Sequence, residues 1–146
     1  MFCFVFGIGN GELKEIVYKH IPDKVNSRIL IVGTGTSTFP LRMCENGYHH
    51  VHGTDYVDAV IEKMSKQSKE IFQNEKKSNS PQPTWDVMDA TEMTCNDESY
   101  HAILDKGCLD AMLIPPGSTG KTITGSTWVD SIEESTMAMV RNWKKW

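Results

Sequence analysis

Two glycines and four acids stand where they could hold a nucleoside. Gly33 and Gly35 close the apolar run Ile29-Leu30-Ile31-Val32. Asp55 follows His52-Gly53-Thr54, Asp89 follows Trp85-Asp86-Val87-Met88, and Asp105 follows Ile103-Leu104, with Asp110 five residues on. Each stretch is an apolar run ending in a small or acidic residue. Ligands of open α/β sheets bind beyond the carboxyl ends of the strands, so four such runs would deliver their last residues to one crevice.

The chemistry differs at each position. Gly33-Thr34-Gly35 allows a tight turn with no Cβ in a ligand's way. The amides that follow, with Ser37, can hold an anion such as a carboxylate. A plain strand-to-helix turn is the simpler reading of that pair alone. Asp55 lies twenty residues after Gly35 and can accept both hydroxyls of a ribose. That placement fits NAD and S-adenosylmethionine equally, and Asp55 could instead cap the next helix. Tyr56 could stack on adenine or form part of a wall. Asp89, beside Ala90, suits the exocyclic amine of adenine, or caps a turn at Thr91. Asp105-Lys106-Gly107 would face the reacting end of the ligand, since its strand adjoins the first.

Alternating strands and helices must position these residues. Residues 28–32, 50–54, 85–88 and 101–104 read as strands, the first a buried parallel strand rich in β-branched residues. Residues 11–21 carry apolar positions at helical spacing. A second helix starts near Ser37 or Thr38, with Pro40 in its first turn, and ends at Gly47. Val57, Val60, Ile61, Met64, Ile71 and Phe72 mark one face of a third helix, and Lys63, Lys66 and Lys69 its solvated side. Trp128, Val129, Ile132, Thr136, Met139, Val140 and Trp143 mark a last one. The alternation specifies an α/β fold with a parallel sheet and right-handed crossovers.

The length of 146 residues is that of one domain. A net charge of −4 and a pI near 5.7 argue against a nucleic-acid partner. Cys3, Cys44, Cys95 and Cys108 form no CxxC pair and read as reduced thiols of a cytoplasmic protein. The apolar start, residues 1–8, is too short to span a membrane. It reads as an element packed on the fold or as a ragged edge. His49, His50 and His52 lack an acidic or cysteine partner at ligand spacing, so no metal is assigned. Gly117-Ser118-Thr119-Gly120-Lys121-Thr122 ends like a phosphate-binding loop, but Pro115 stands where its first glycine belongs and no strand leads into it.

Residues 28–112 resemble a class I S-adenosylmethionine-dependent methyltransferase. Within that class they resemble the protein-lysine methyltransferases that act on translation elongation factor 1 alpha. The matching segments are Val32-Gly33-Thr34-Gly35-Thr36-Ser37, Asp55-Tyr56, Trp85-Asp86-Val87-Met88-Asp89 and Leu104-Asp105-Lys106-Gly107-Cys108-Leu109-Asp110-Ala111. The last is the most specific, with Cys108 where the family tends to have threonine. The resemblance implies a Rossmann-like sheet of order 3-2-1-4, with S-adenosyl-L-methionine as cofactor and a protein substrate. Gly33 and Gly35 would admit the methionine part, Asp55 would hold the ribose, Tyr56 could stack on the adenine and Asp89 would hold its amine, with Thr34, Ser37 and Ala90 also cofactor-binding. Asp105 and Lys106 would stand at the mouth, with Asp105 as the catalytic candidate. The family's opening aromatic segment is absent before Glu12, and its strands five to seven are missing. The chain thus reads as truncated at both ends, with an open edge at the fourth strand that would favour self-association. A catalytically inactive cofactor-binding module acting through partners is the alternative. A nicotinamide dehydrogenase is disfavoured by Thr38, where a third glycine is expected, and by Asp105-Lys106-Gly107.

Overall fold

The computed structural model describes residues 2–5, 10–73, 80–96, 98–105 and 107–112. In chain order these form β1 (Phe2–Val5), α1 (Asn10–His20), β2 (Arg28–Val32), α2 (Phe39–Glu45), β3 (His50–Asp55), α3 (Asp58–Phe72), β4 (Thr84–Val87), β5 (Ala102–Asp105) and α4 (Cys108–Met112). Lys106, the phosphate-loop look-alike and the expected last helix lie outside the described residues.

Five strands form one sheet of order β1-β5-β2-β3-β4, and every pairing is parallel. The four strands foreseen from the sequence take the order 3-2-1-4 within it. The fourth strand's edge is not open, which corrects the expectation of self-association there. β1 pairs along it from Phe2 opposite Ala102 to Val5 opposite Asp105. The backbone groups that would have recruited a second copy are bonded within the chain.

β2 is central because it is apolar on both faces. Ile29 and Ile31 enter a core with Val17, Phe39, Tyr48, Met64 and Phe72. Leu30 and Val32 join Ile103 and Ala90 on the other face, against Tyr100, Cys108 and Leu109. Successive strand side chains point to opposite faces, so one four-residue run serves two cores. α3 buries Ile61, Met64, Ser68 and Phe72, while Lys63, Lys66 and Lys69 are exposed. The Ser37 hydroxyl accepts from the Phe39 N–H at 3.2 Å and starts α2. Gly53 carries no Cβ because the Trp85 ring lies where one would be, at 2.6 Å.

A polar group is built into the second face. His52 Nδ1 meets the Tyr100 hydroxyl, and its Nε2 lies 2.9 Å from Asp86 Oδ2. Burial pushes the His52 pKa below its ordinary 6.5, and Asp86 opposes that shift. Net, the unfolded chain takes up this proton at a higher pH than the folded one. The neutral ring's contribution to stability is therefore complete above pH 6.5 and is lost as pH falls from there through the lower folded value. Thermal unfolding should come earlier at pH 5 than at pH 7, and His52→Gln should shrink that difference. An unchanged difference in the variant would assign the acid sensitivity to other groups.

Candidate functional site

The turn after β2 is the centre of the site. Gly33 and Gly35 both take left-handed conformations, at φ +59° and +54°, which side chains bearing a Cβ adopt at a cost. Two hydrogen bonds tie the turn to the end of β3. The Thr34 N–H donates to the Thr54 carbonyl at 2.9 Å. The Gly35 N–H donates to Asp55 Oδ2 at 2.8 Å.

The two glycines do different work. A Cβ on Gly33 would lie 2.4 Å from Cys108 Cβ and 2.8 Å from Cys108 Sγ, so this glycine admits α4. Among the described residues, a Cβ on Gly35 would meet nothing within 4 Å. Gly35 thus faces free space, as a ligand-admitting glycine must. Between them Thr34 is 2% exposed, and its hydroxyl has no hydrogen-bond partner among the described residues. A buried polar atom of this kind is expensive unless something satisfies it. The open space, the orphaned hydroxyl and a carboxylate at the next strand end fit a ribose-bearing ligand with a polar tail.

Asp55 is 8% exposed. Besides holding Gly35, its Oδ1 accepts from the Val57 N–H at 3.1 Å, just before α3. Both readings of this residue, a helix-start device and a site carboxylate, therefore meet in one side chain. Tyr56 is 75% exposed beside it, available as a flat surface. Asp89 is exposed, and its Oδ1 accepts from both the Thr91 N–H and the Thr91 hydroxyl at 2.7 Å. That is a turn cap, and the neighbouring Ala90 is buried.

Asp105 departs from what its position suggested. It is fully buried, and Oδ1 and Oδ2 accept from the Cys108 and Leu109 N–H groups at 2.7 and 2.9 Å. Both oxygens hold the start of α4, an arrangement that orients the helix and leaves no carboxylate edge facing outward. Asp105→Ala should destabilise the chain by about 2 kcal/mol, the upper range for loss of an N-terminal cap. Asp105→Asn, which keeps one acceptor, should lose less. Urea unfolding measures both, and an unaffected Asp105→Ala would contradict the capping role.

Cys108 was not singled out by the sequence except as a departure from threonine. Its half-buried thiol is pushed up to about 12, first by burial and then by the charges of Asp105, Asp55 and Asp89. The thiol packs against the Gly33 turn at the end of β2. The clue in sequence was the pairing of a small residue at 108 with a glycine at 33, a contact that needs the fold to be seen.

No protein-family model matches the chain. Among solved structures, magnesium protoporphyrin IX methyltransferase (ChlM) from Synechocystis PCC 6803 with bound SAM superposes with a TM-score of 0.59. The match is at 10% identity and covers 90% of this chain and 53% of that one. The MccD protein superposes with a TM-score of 0.56 at 16% identity, covering 73% and 43%. This chain has the class I methyltransferase fold. Its sequence relatives agree with that fold. It is 34% identical over 103 residues to the eEF1A lysine and N-terminal methyltransferase of Xenopus laevis, 70% of this chain and 13% of the relative. It is 35% identical over 101 residues to the Drosophila melanogaster homolog, 69% and 14% of the two lengths. EEF1A lysine methyltransferase 4 of Mus musculus is 29% identical over 86 residues, 59% and 30%. The chain therefore spans about 13% of the first of these relatives. In this methyltransferase fold the Gly33–Gly35 turn, Asp55, Asp89 and Asp105 all sit at the carboxyl ends of the parallel strands.

Proposed function

We propose that this chain is the S-adenosylmethionine-binding part of a cytoplasmic methyltransferase whose acceptor is a lysine of a protein, in the manner of the eEF1A methyltransferases it resembles. The observation that carries the reading is the Gly35 turn, open on one side and bonded on the other to the Asp55 carboxylate. Gly35, Thr34 and Ser37 would receive the methionine end. Gly33 would serve the same loop by letting α4 approach. Asp55 would accept from the ribose and Tyr56 would cover the base, with Asp89 and Ala90 on the adenine side. Asp105, expected beside the reacting group, is read here as positioning α4.

The cofactor supplies a methyl group already activated on a sulfonium, so the protein's share is binding, alignment and charge. An acceptor lysine must first lose its proton, and its free pKa of about 10.4 keeps it charged at pH 7. The acids around Cys108 would draw an ammonium in but also hold its proton. Loss of that proton would therefore rest on desolvation as the slot closes. Transfer of label from S-adenosylmethionine to elongation factor 1 alpha tests the proposal. Label on a lysine is the expected result. Binding without any transfer would favour the inactive binding module instead.

A further inference from the structure

We infer that Asp55 is the positioning residue of the glycine turn, so that a ligand depends on it even at atoms it does not touch. The inference rests on the cofactor reading above and deepens it. Glycine loses more backbone freedom on ordering than any other residue, so a turn with two left-handed glycines gains from bonds that hold it from outside. Among the described residues, two hydrogen bonds reach Thr34 and Gly35 from β3. One is a neutral amide–carbonyl bond, Thr34 to Thr54. The other, Gly35 N–H to Asp55 Oδ2 at 2.8 Å, is charge-assisted and set on an 8% exposed side chain, conditions that make a hydrogen bond stronger.

The second oxygen makes this a clamp. Oδ1 accepts from the Val57 N–H at 3.1 Å, so one carboxylate joins the turn after β2 to the chain entering α3. Each oxygen keeps a lone pair for a ligand hydroxyl, but neither is free to move towards one. The turn's shape, including the open side of Gly35, is then a property of Asp55. Removing the carboxylate should loosen the amide end of the site as well as the hydroxyl end.

A chemical double-mutant cycle separates the two effects. S-adenosylhomocysteine and its 2′,3′-dideoxy analogue, which has no ribose hydroxyls, are titrated into the wild-type chain and into Asp55→Ala. If Asp55 positions the turn, Asp55→Ala should lose about tenfold or more against both ligands, the scale of a lost hydrogen bond to a charged group. If Asp55 serves the hydroxyls alone, the variant should bind the dideoxy analogue as well as wild type does, which would overturn the inference. Amide exchange without ligand is the second readout. The Gly35 amide should exchange about tenfold faster in Asp55→Ala while the Thr34 amide keeps its protection. Equal Gly35 rates in both proteins would also overturn it. Asp55→Asn, with a single acceptor oxygen for two donors, should fall between and guards against a variant that fails to fold. A wild-type chain that binds neither ligand would defeat the cofactor reading, and Gly35 exchange would still decide the clamp.

Discussion

Gly33→Ala should cost the chain about 3 kcal/mol or more of stability. Two costs add. A left-handed conformation at φ +59° penalises a residue with a Cβ by about 1–2 kcal/mol. The new methyl would also lie 2.4 Å from Cys108 Cβ and 3.2 Å from Cys108 Cα, and overpacking of this kind costs about 1–3 kcal/mol. The neighbour cannot swing away, because it is the first residue of α4 and its N–H is held by Asp105 at 2.7 Å. Urea unfolding reads the loss. Cys108→Gly in the same chain should restore part of it by removing the clashing atom. A Gly33→Ala chain as stable as wild type would mean that α4 does not pack on the turn.

Gly35→Val should do the reverse. Its Cβ meets nothing within 4 Å among the described residues, so the Cβ clash of Gly33 is absent and the backbone strain at φ +54° is the main cost. The branched side chain would fill the volume into which the ligand must come. Affinity for S-adenosylhomocysteine should fall by at least about a hundredfold, since the blocked site loses close contacts and must also move its backbone. Unfolding in urea should shift less than it does for Gly33→Ala. Normal affinity in Gly35→Val would leave the turn with a purely structural role.

These two glycines show what could be read from the chain and what could not. A Gly-x-Gly after an apolar run marks the turn, and Asp55 at its spacing marks the neighbouring strand end. Both are local patterns, and both stand where they were expected. The division of labour between Gly33 and Gly35 was hidden, because it depends on Cys108, which reaches Gly33 only through the fold. The same distance in sequence hid the pairing of β1 with β5, since a four-residue apolar run names no partner. It also hid the contacts of His52 with Tyr100 and Asp86. Asp105 misled for a different reason. An acid at a strand end before a helix can face a ligand or cap the helix, and the residue types are identical in the two cases. The structure shows the cap, in the 0% exposure and the two amide bonds of Asp105.

The central claim is that the crevice over the Gly35 turn holds a nucleoside with an amino-acid tail, and calorimetric titration of the chain tests it most directly. S-adenosylhomocysteine and NAD are titrated in parallel, since both carry adenosine and only the first carries the tail. The account predicts saturable binding of S-adenosylhomocysteine that is strongly weakened by Gly35→Val, with NAD giving little heat. Saturable binding of NAD, with none of S-adenosylhomocysteine, would contradict it.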